Sequence, residues 1–156
     1  MRFKNFKLIK PYSIFLIFIT LFLGCKDENK IPQMKIYDYN NSEIYTNSFT
    51  QKDLVFCYLN PECYTCVEFL KKLERLENPK YYFVVVYTSF SKLNPEYFNY
   101  KKKEFYKIFI DKKNEFPQKF NLGIFIDYPT FVIFENGKYI KTTKDKNNLL
   151  FNKNHL

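Results

Sequence analysis

The sequence predicts an α/β fold, a central mixed β-sheet flanked by helices, with an N-terminal extended lead-in and a C-terminal β-hairpin. Three observations predict it. The runs 54–59 (Leu-Val-Phe-Cys-Tyr-Leu) and 81–87 (Tyr-Tyr-Phe-Val-Val-Val-Tyr) are unbroken, apolar and β-rich, the pattern of strands buried on both faces. Between them the period changes to that of a helix. Cys66, Phe69, Leu70, Leu73 and Leu76 share one face, Glu68, Lys71, Lys72, Glu74 and Arg75 share the other, and Asn78-Pro79 ends it. The third observation is the segment 128–140, where two apolar runs meet at Asn136-Gly137, the signature of an antiparallel hairpin with a tight I′ turn. Strand, helix and strand in that order form a βαβ unit, whose crossover is right-handed.

The amino terminus precedes this fold. Residues 1–10 carry Arg2, Lys4, Lys7 and Lys10 and no acid, and residues 11–23 are apolar. The apolar part is shorter than the ~20 residues a membrane-spanning helix needs, so 1–24 has the layout of a secretory signal. Its ending, Leu21-Phe22-Leu23-Gly24-Cys25, resembles a bacterial lipobox, although Phe22 stands where Leu is usual and Leu23 where a small residue is usual. That resemblance implies that Cys25 becomes the lipidated first residue of the mature protein, anchoring it to a membrane, with the outer membrane favoured. Residues 25–33 are polar and without apolar periodicity, a flexible tether. Lys26-Asp27-Glu28 also resembles the export signal by which some Gram-negative lipoproteins reach the cell surface, so a periplasm-facing and a surface-exposed anchor both stay open. The folded domain is then 34–156.

Composition excludes several partners. The chain of 156 residues has a formal charge of +9, but the signal holds four of its 25 basic residues and none of its 16 acidic ones. The mature chain therefore carries about +5, spread along its length, and its one basic triplet, Lys101-Lys102-Lys103, fits a solvated helix face better than a phosphate track. No nucleic-acid partner is expected. The 19 Phe and 14 Tyr accompany a complete absence of Ala, which reads as a codon bias rather than an aromatic binding surface.

The remaining elements follow in order. Residues 34–39 read as a short strand, Asn40-Asn41-Ser42 as a turn and 43–49 as a second extended piece. Asn94-Pro95-Glu96 looks like a helix start, with the helix over 97–103. Strand character returns at 105–110, a turn follows at 111–114, and 115–121 could hold a short helix despite Pro117. Leu149, Leu150 and Phe151 suffice for one short packing helix. There is no internal repeat.

The chemistry lies in Asn60-Pro61-Glu62-Cys63-Tyr64-Thr65-Cys66, two thiols on the first turn of a helix that follows a buried strand. Free amide groups at a helix start favour a thiolate, so such a pair can close a small disulfide or attack one. Together with Tyr128-Pro129-Thr130 before the hairpin, this order of elements resembles the thioredoxin fold over about residues 34–156. The lead-in and the inserted segment 93–104 look like the membrane-tethered thioredoxin-like reductases; a peroxiredoxin would carry its reactive Cys elsewhere.

The resemblance implies roles. Cys63 would be the nucleophile, Cys66 would resolve the mixed disulfide, and the two would cycle through a Cys63–Cys66 disulfide. Pro129 would be a cis-proline facing the pair, and Tyr128 and Thr130 would complete a site for an extended substrate segment. The implied partners are disulfide-containing exported proteins and an integral-membrane electron donor; no cofactor is implied. Three departures from the pattern stand out: Glu62 replaces a Trp and should oppose the thiolate, Thr65 stands where Pro is common and with Tyr64 changes the redox-tuning dipeptide, and Cys57 stands where many thioredoxins bury an acid.

Cys57, mid-strand, reads as a small hydrophobe rather than a third redox thiol. A zinc site from Cys57, Cys63, Cys66 and His155 is disfavoured, since no second Cys pair exists and His155 lies in a loose tail; no metal is expected. The expected function is an envelope thiol-disulfide oxidoreductase. The competing reading is a non-catalytic, surface-displayed binding lipoprotein whose Cys63–Cys66 disulfide is structural. The loop between those cysteines is too short for much entropic stabilisation, which favours redox use.

Overall fold

The computed structural model describes residues 30–77, 79–88, 103–146 and 149. The signal, Cys25, most of the 25–33 tether, all but the last residue of the helix expected over 97–103, Leu150, Phe151 and His155 lie outside the described residues.

The parallel core of the sheet comes from the two apolar runs. β3 (Leu54–Leu59) and β4 (Tyr82–Thr88) pair in parallel with Cys57 opposite Val85, and β5 (Tyr106–Asp111) extends the parallel part beside β4. All of β3 is buried, as its unbroken apolar character requires. On the far side of β3 the hairpin β6 (Thr130–Glu135) and β7 (Lys138–Thr143) adds antiparallel strands. Its turn residues Asn136 and Gly137 have φ of 51° and 73°, the left-handed values a I′ turn demands. The lead-in supplies β1 (Lys35–Tyr37) and β2 (Glu43–Tyr45), giving a seven-stranded mixed sheet in the order β2-β1-β5-β4-β3-β6-β7.

The lead-in is shorter than its pattern predicted. Past Tyr45 the backbone leaves the sheet for a 3-10 turn, Thr46–Ser48. Thr46 causes this: its backbone N–H still reaches the Met34 carbonyl at 3.0 Å, but its buried side chain accepts the Met34 N–H at 3.0 Å and donates to the Pro32 carbonyl, so a side chain takes the place of the return ladder bond.

Helices cover both faces. α1 (Tyr64–Glu74) follows β3 and buries Cys66, Phe69, Leu70 and Leu73 against Val55, Cys57, Leu59, Val85 and Phe131. It stops short of Leu76, which stays half-buried beside the same cluster. The opposite face is aromatic: Phe56, Tyr58, Phe109, Phe116, Phe120 and Phe134 form its centre. There the expected helix over 115–121 shrinks to one turn, α2 (Phe116–Lys119), with Pro117 inside its first turn. Among the described residues no helix is long and apolar enough to cross a membrane.

Asp111 sets the start of that short helix. Its buried carboxylate accepts the N–H of Phe116 at 2.8 Å and of Glu115 at 3.0 Å, while the Tyr58 hydroxyl, 3.5 Å away, donates to Asn114 Oδ1 at 2.7 Å. Burial raises the pKa of Asp111, and the two N–H bonds only partly offset it. Between the ordinary aspartate value and this raised value the folded chain holds more protons than the unfolded one, so this group's contribution to stability falls as pH rises through that window. Asp111→Asn is expected to remove that fall. Asp111→Ala, which strips both N–H groups of their acceptor, should cost about 2–3 kcal/mol throughout. Urea unfolding at several pH values between 3 and 7 measures both.

Candidate functional site

The site forms where β3 ends. Asn60 turns the chain: its Oδ1 accepts the Glu62 N–H at 2.9 Å and its carbonyl accepts the Cys63 N–H at 3.0 Å. Cys63 is thereby placed at the N-cap of α1, with extended backbone (φ −83°, ψ 116°), and its carbonyl accepts the N–H of Cys66 at 3.0 Å and of Val67 at 3.2 Å. One helical turn separates the two cysteines, and this puts them in different surroundings. Cys63 is partly exposed, Cys66 is fully buried, and both are free thiols in this structure.

The opposing wall is the loop before β6. The Tyr128–Pro129 peptide bond is cis. The Tyr128 carbonyl lies 3.6 Å from Cys63 Sγ and 3.3 Å from Thr65 Oγ1, and Thr65 Oγ1 is 3.0 Å from Cys63 Sγ. Thr130 is buried and turned inward, its hydroxyl donating to the Asp127 carbonyl at 2.6 Å, so it braces the loop that presents Tyr128.

These surroundings separate the two thiols electrostatically. Burial pushes Cys63 up, but the Thr65 hydroxyl, the Cys66 thiol and the backbone N–H groups of Cys66 and Thr65 more than offset it, leaving Cys63 below the ordinary thiol value. No formal cap hydrogen bond reaches its sulfur, so the backbone contribution is that of N–H dipoles at the helix start. Cys66 moves the other way: burial first, and donation of its proton to Cys63 second, hold it well above the usual range. Cys57 is raised strongly by burial and by the nearby Cys66. Among the described residues no group of three or more His, Cys, Asp or Glu side chains could hold a metal ion.

No family model matches the sequence, and no curated protein matches it either. Solved structures do match in fold. The C-terminal domain of an uncharacterized Bacteroides fragilis protein superposes with a TM-score of 0.61 at 15% identity, covering 80% of this chain and 94% of that one. The exposed lipoprotein thioredoxin Etrx1 of Streptococcus pneumoniae gives 0.54 at 12% identity over 72% of this chain and 89% of that one. A secreted Mycobacterium tuberculosis disulfide oxidoreductase gives 0.55 at 15% identity over 74% and 85%. This chain has a thioredoxin-like fold.

Within the thioredoxin-like fold, four positions around the pair shape this site. Glu62, expected to oppose the thiolate, is exposed, where water and salt screen its charge. Cys57 fills the buried mid-strand position as part of the apolar cluster around α1. Thr65 makes a contact that no local pattern in the sequence shows: its hydroxyl lies within reach of both Cys63 Sγ and the Tyr128 carbonyl, the latter 63 positions away. Asn60, directly after β3, is the hinge that turns the chain into the motif. An Asn whose side-chain oxygen can accept the backbone N–H two residues on is the signal that could have found it.

Proposed function

We propose that the chain is a thiol-disulfide oxidoreductase of the cell envelope, with Cys63 as nucleophile and Cys66 as resolving thiol. The observation that carries this reading is the asymmetry of the pair: a partly exposed Cys63 with a lowered pKa one turn above a buried Cys66 with a raised one. A staple needs no such difference, whereas exchange chemistry does.

The steps balance within the pair and its substrate. The Cys63 thiolate attacks one sulfur of a substrate disulfide, the S–S bond breaks, and the departing substrate thiolate takes a proton from water. Cys66 then gives up its proton and attacks Cys63 Sγ, releasing the second substrate sulfur as a thiolate. Two electrons have passed to the substrate and Cys63–Cys66 is a disulfide. A membrane-embedded dithiol donor would return it to the dithiol state, and the same steps in reverse would oxidise a substrate dithiol.

Polypeptide substrates suit the surroundings of the site. Tyr64 is 76% exposed, and Ile124 and Phe125, only a few residues before Tyr128, are 92% and 94% exposed. The Tyr128 backbone beside Cys63 offers an extended segment its hydrogen bonds, with Pro129 and Thr130 holding it in place. Exported proteins with disulfides are the substrate class. The signal over 1–24, lipidation at Cys25 and a tether over 25–33 leading to the domain 34–156 would hold it on a membrane, the outer one favoured; an exposed lipoprotein and a secreted oxidoreductase among the structural neighbours support an extracytoplasmic place. Loss of labelled palmitate incorporation in Cys25→Ser tests the anchor.

The decisive test of the chemistry uses the full chain, reduced and held in detergent, mixed with insulin. Release of insulin thiols together with loss of the Cys63 and Cys66 thiols is expected. A chain that exchanges with neither insulin nor a small disulfide would instead be a binding lipoprotein on this scaffold.

A further inference from the structure

We propose that the Thr65 hydroxyl is a two-way positioning group that couples occupation of the Tyr128 carbonyl to the charge on Cys63. The inference rests on the redox reading above and adds a rule for when the nucleophile is armed. Its basis is the triangle of Thr65 Oγ1, Cys63 Sγ and Tyr128 O, with sides of 3.0, 3.3 and 3.6 Å.

A hydroxyl has one proton to give, and each corner of the triangle changes what it can accept. While Cys63 is a thiol, its S–H and the Thr65 O–H both point to the Tyr128 carbonyl, whose two lone pairs take them. Once the Cys63 proton leaves to water, the sulfur is only an acceptor and carries charge. The Thr65 O–H then turns to it, because a charge-assisted bond is stronger than one to a neutral carbonyl. The carbonyl has now lost both donors, at a rim formed by exposed Thr65 and partly exposed Cys63 and Tyr128. Its natural new donor is the backbone N–H of an extended polypeptide.

Linkage makes the coupling reciprocal. A substrate N–H seated on the Tyr128 carbonyl competes with Thr65 for that oxygen, sends the hydroxyl to the sulfur and so stabilises the thiolate. The site would thus be more reactive toward disulfides presented on a polypeptide backbone than toward small disulfides that have no N–H to offer. A proline at this position, as the usual pattern has it, could not do this.

The test compares wild type, Thr65→Ser and Thr65→Val as full chains in detergent. The first readout is the pH profile of Cys63 alkylation by iodoacetamide in a Cys25→Ser background; Cys57 and Cys66 are buried and do not compete. Thr65→Val is expected to alkylate about tenfold more slowly near pH 7, with the rate at high pH unchanged, and Thr65→Ser to match wild type. The second readout is the ratio of exchange rates with insulin and with bis(2-hydroxyethyl) disulfide, which should fall in Thr65→Val and be kept in Thr65→Ser. An unchanged alkylation profile in Thr65→Val overturns the inference, and so does a shifted profile with an unchanged ratio. Wild type that exchanges with neither disulfide overturns the redox reading itself, and the coupling with it, a result distinct from either of the others.

Discussion

Cys66→Ser is expected to accumulate mixed disulfides through Cys63, and Cys63→Ser to lose exchange altogether, by about a thousandfold or more. The two outcomes differ because the two thiols do. Without Cys63 the remaining sulfurs at the site are Cys66 and Cys57, both fully buried and both with pKa values raised by burial, so neither offers a thiolate to a substrate. Without Cys66 the first step is intact, since Cys63 keeps the Thr65 hydroxyl and the helix-start N–H groups that favour its charge. The intermediate then has no resolving thiol. Cys57 does not replace it, because it sits in the middle of β3 inside the cluster that α1 covers. Non-reducing electrophoresis of cells carrying Cys66→Ser should show higher-mass species that vanish with dithiothreitol and are absent in the Cys63→Ser/Cys66→Ser double variant. If those species persist in the double variant they run through another sulfur, and the assignment of Cys63 fails.

Local, periodic features were legible in the sequence, and side-chain contacts across the sheet were not. β3, α1, β4 and the hairpin each declare themselves within a dozen residues, since their apolar positions repeat every residue, every turn or on either side of Asn136-Gly137. The cysteine pair was legible for the same reason: its strand and helix are the two strongest elements. β1 and β2 are three residues each, too short for alternation to establish their ends, and a buried Thr46 rather than a pattern decides where β2 stops. The Tyr58, Asp111 and Asn114 contacts join residues more than fifty positions apart, and the Thr65 contact to Tyr128 spans still more. No local rule reads a hydrogen bond across that distance. A Thr in place of Pro looks like an omission until the opposing loop is in place.

Phe56→Ala is expected to remove about 3–5 kcal/mol of stability, a large share of the roughly 5–15 kcal/mol a domain possesses. Phe56 is fully buried and lies with ring centroids 5.1 Å from Phe120, 5.9 Å from Phe134 and 6.0 Å from both Phe49 and Phe116. Those rings come from the segment before β3, from α2 and its end, and from β6, so four neighbours on three separate segments would have to move inward to fill the space. Phe116 is further committed to stacking on Tyr58 at 4.6 Å and on Phe120 at 4.0 Å. Collapse is therefore limited, and the cost should sit at the upper part of the range, whereas Phe56→Leu, which retains most of the volume, should cost under about half as much. Urea unfolding measures both, and a loss below about 1 kcal/mol for Phe56→Ala would show that this face repacks freely. The same variant separates stability from chemistry. Cys63 and Cys66 pack on the α1 face of the sheet and Phe56 on the other, so the fraction that remains folded should alkylate at Cys63 with the wild-type pH profile. A shifted profile would mean that the aromatic face holds the Tyr128 loop in position through Tyr58, whose ring lies 5.7 Å from that of Tyr128.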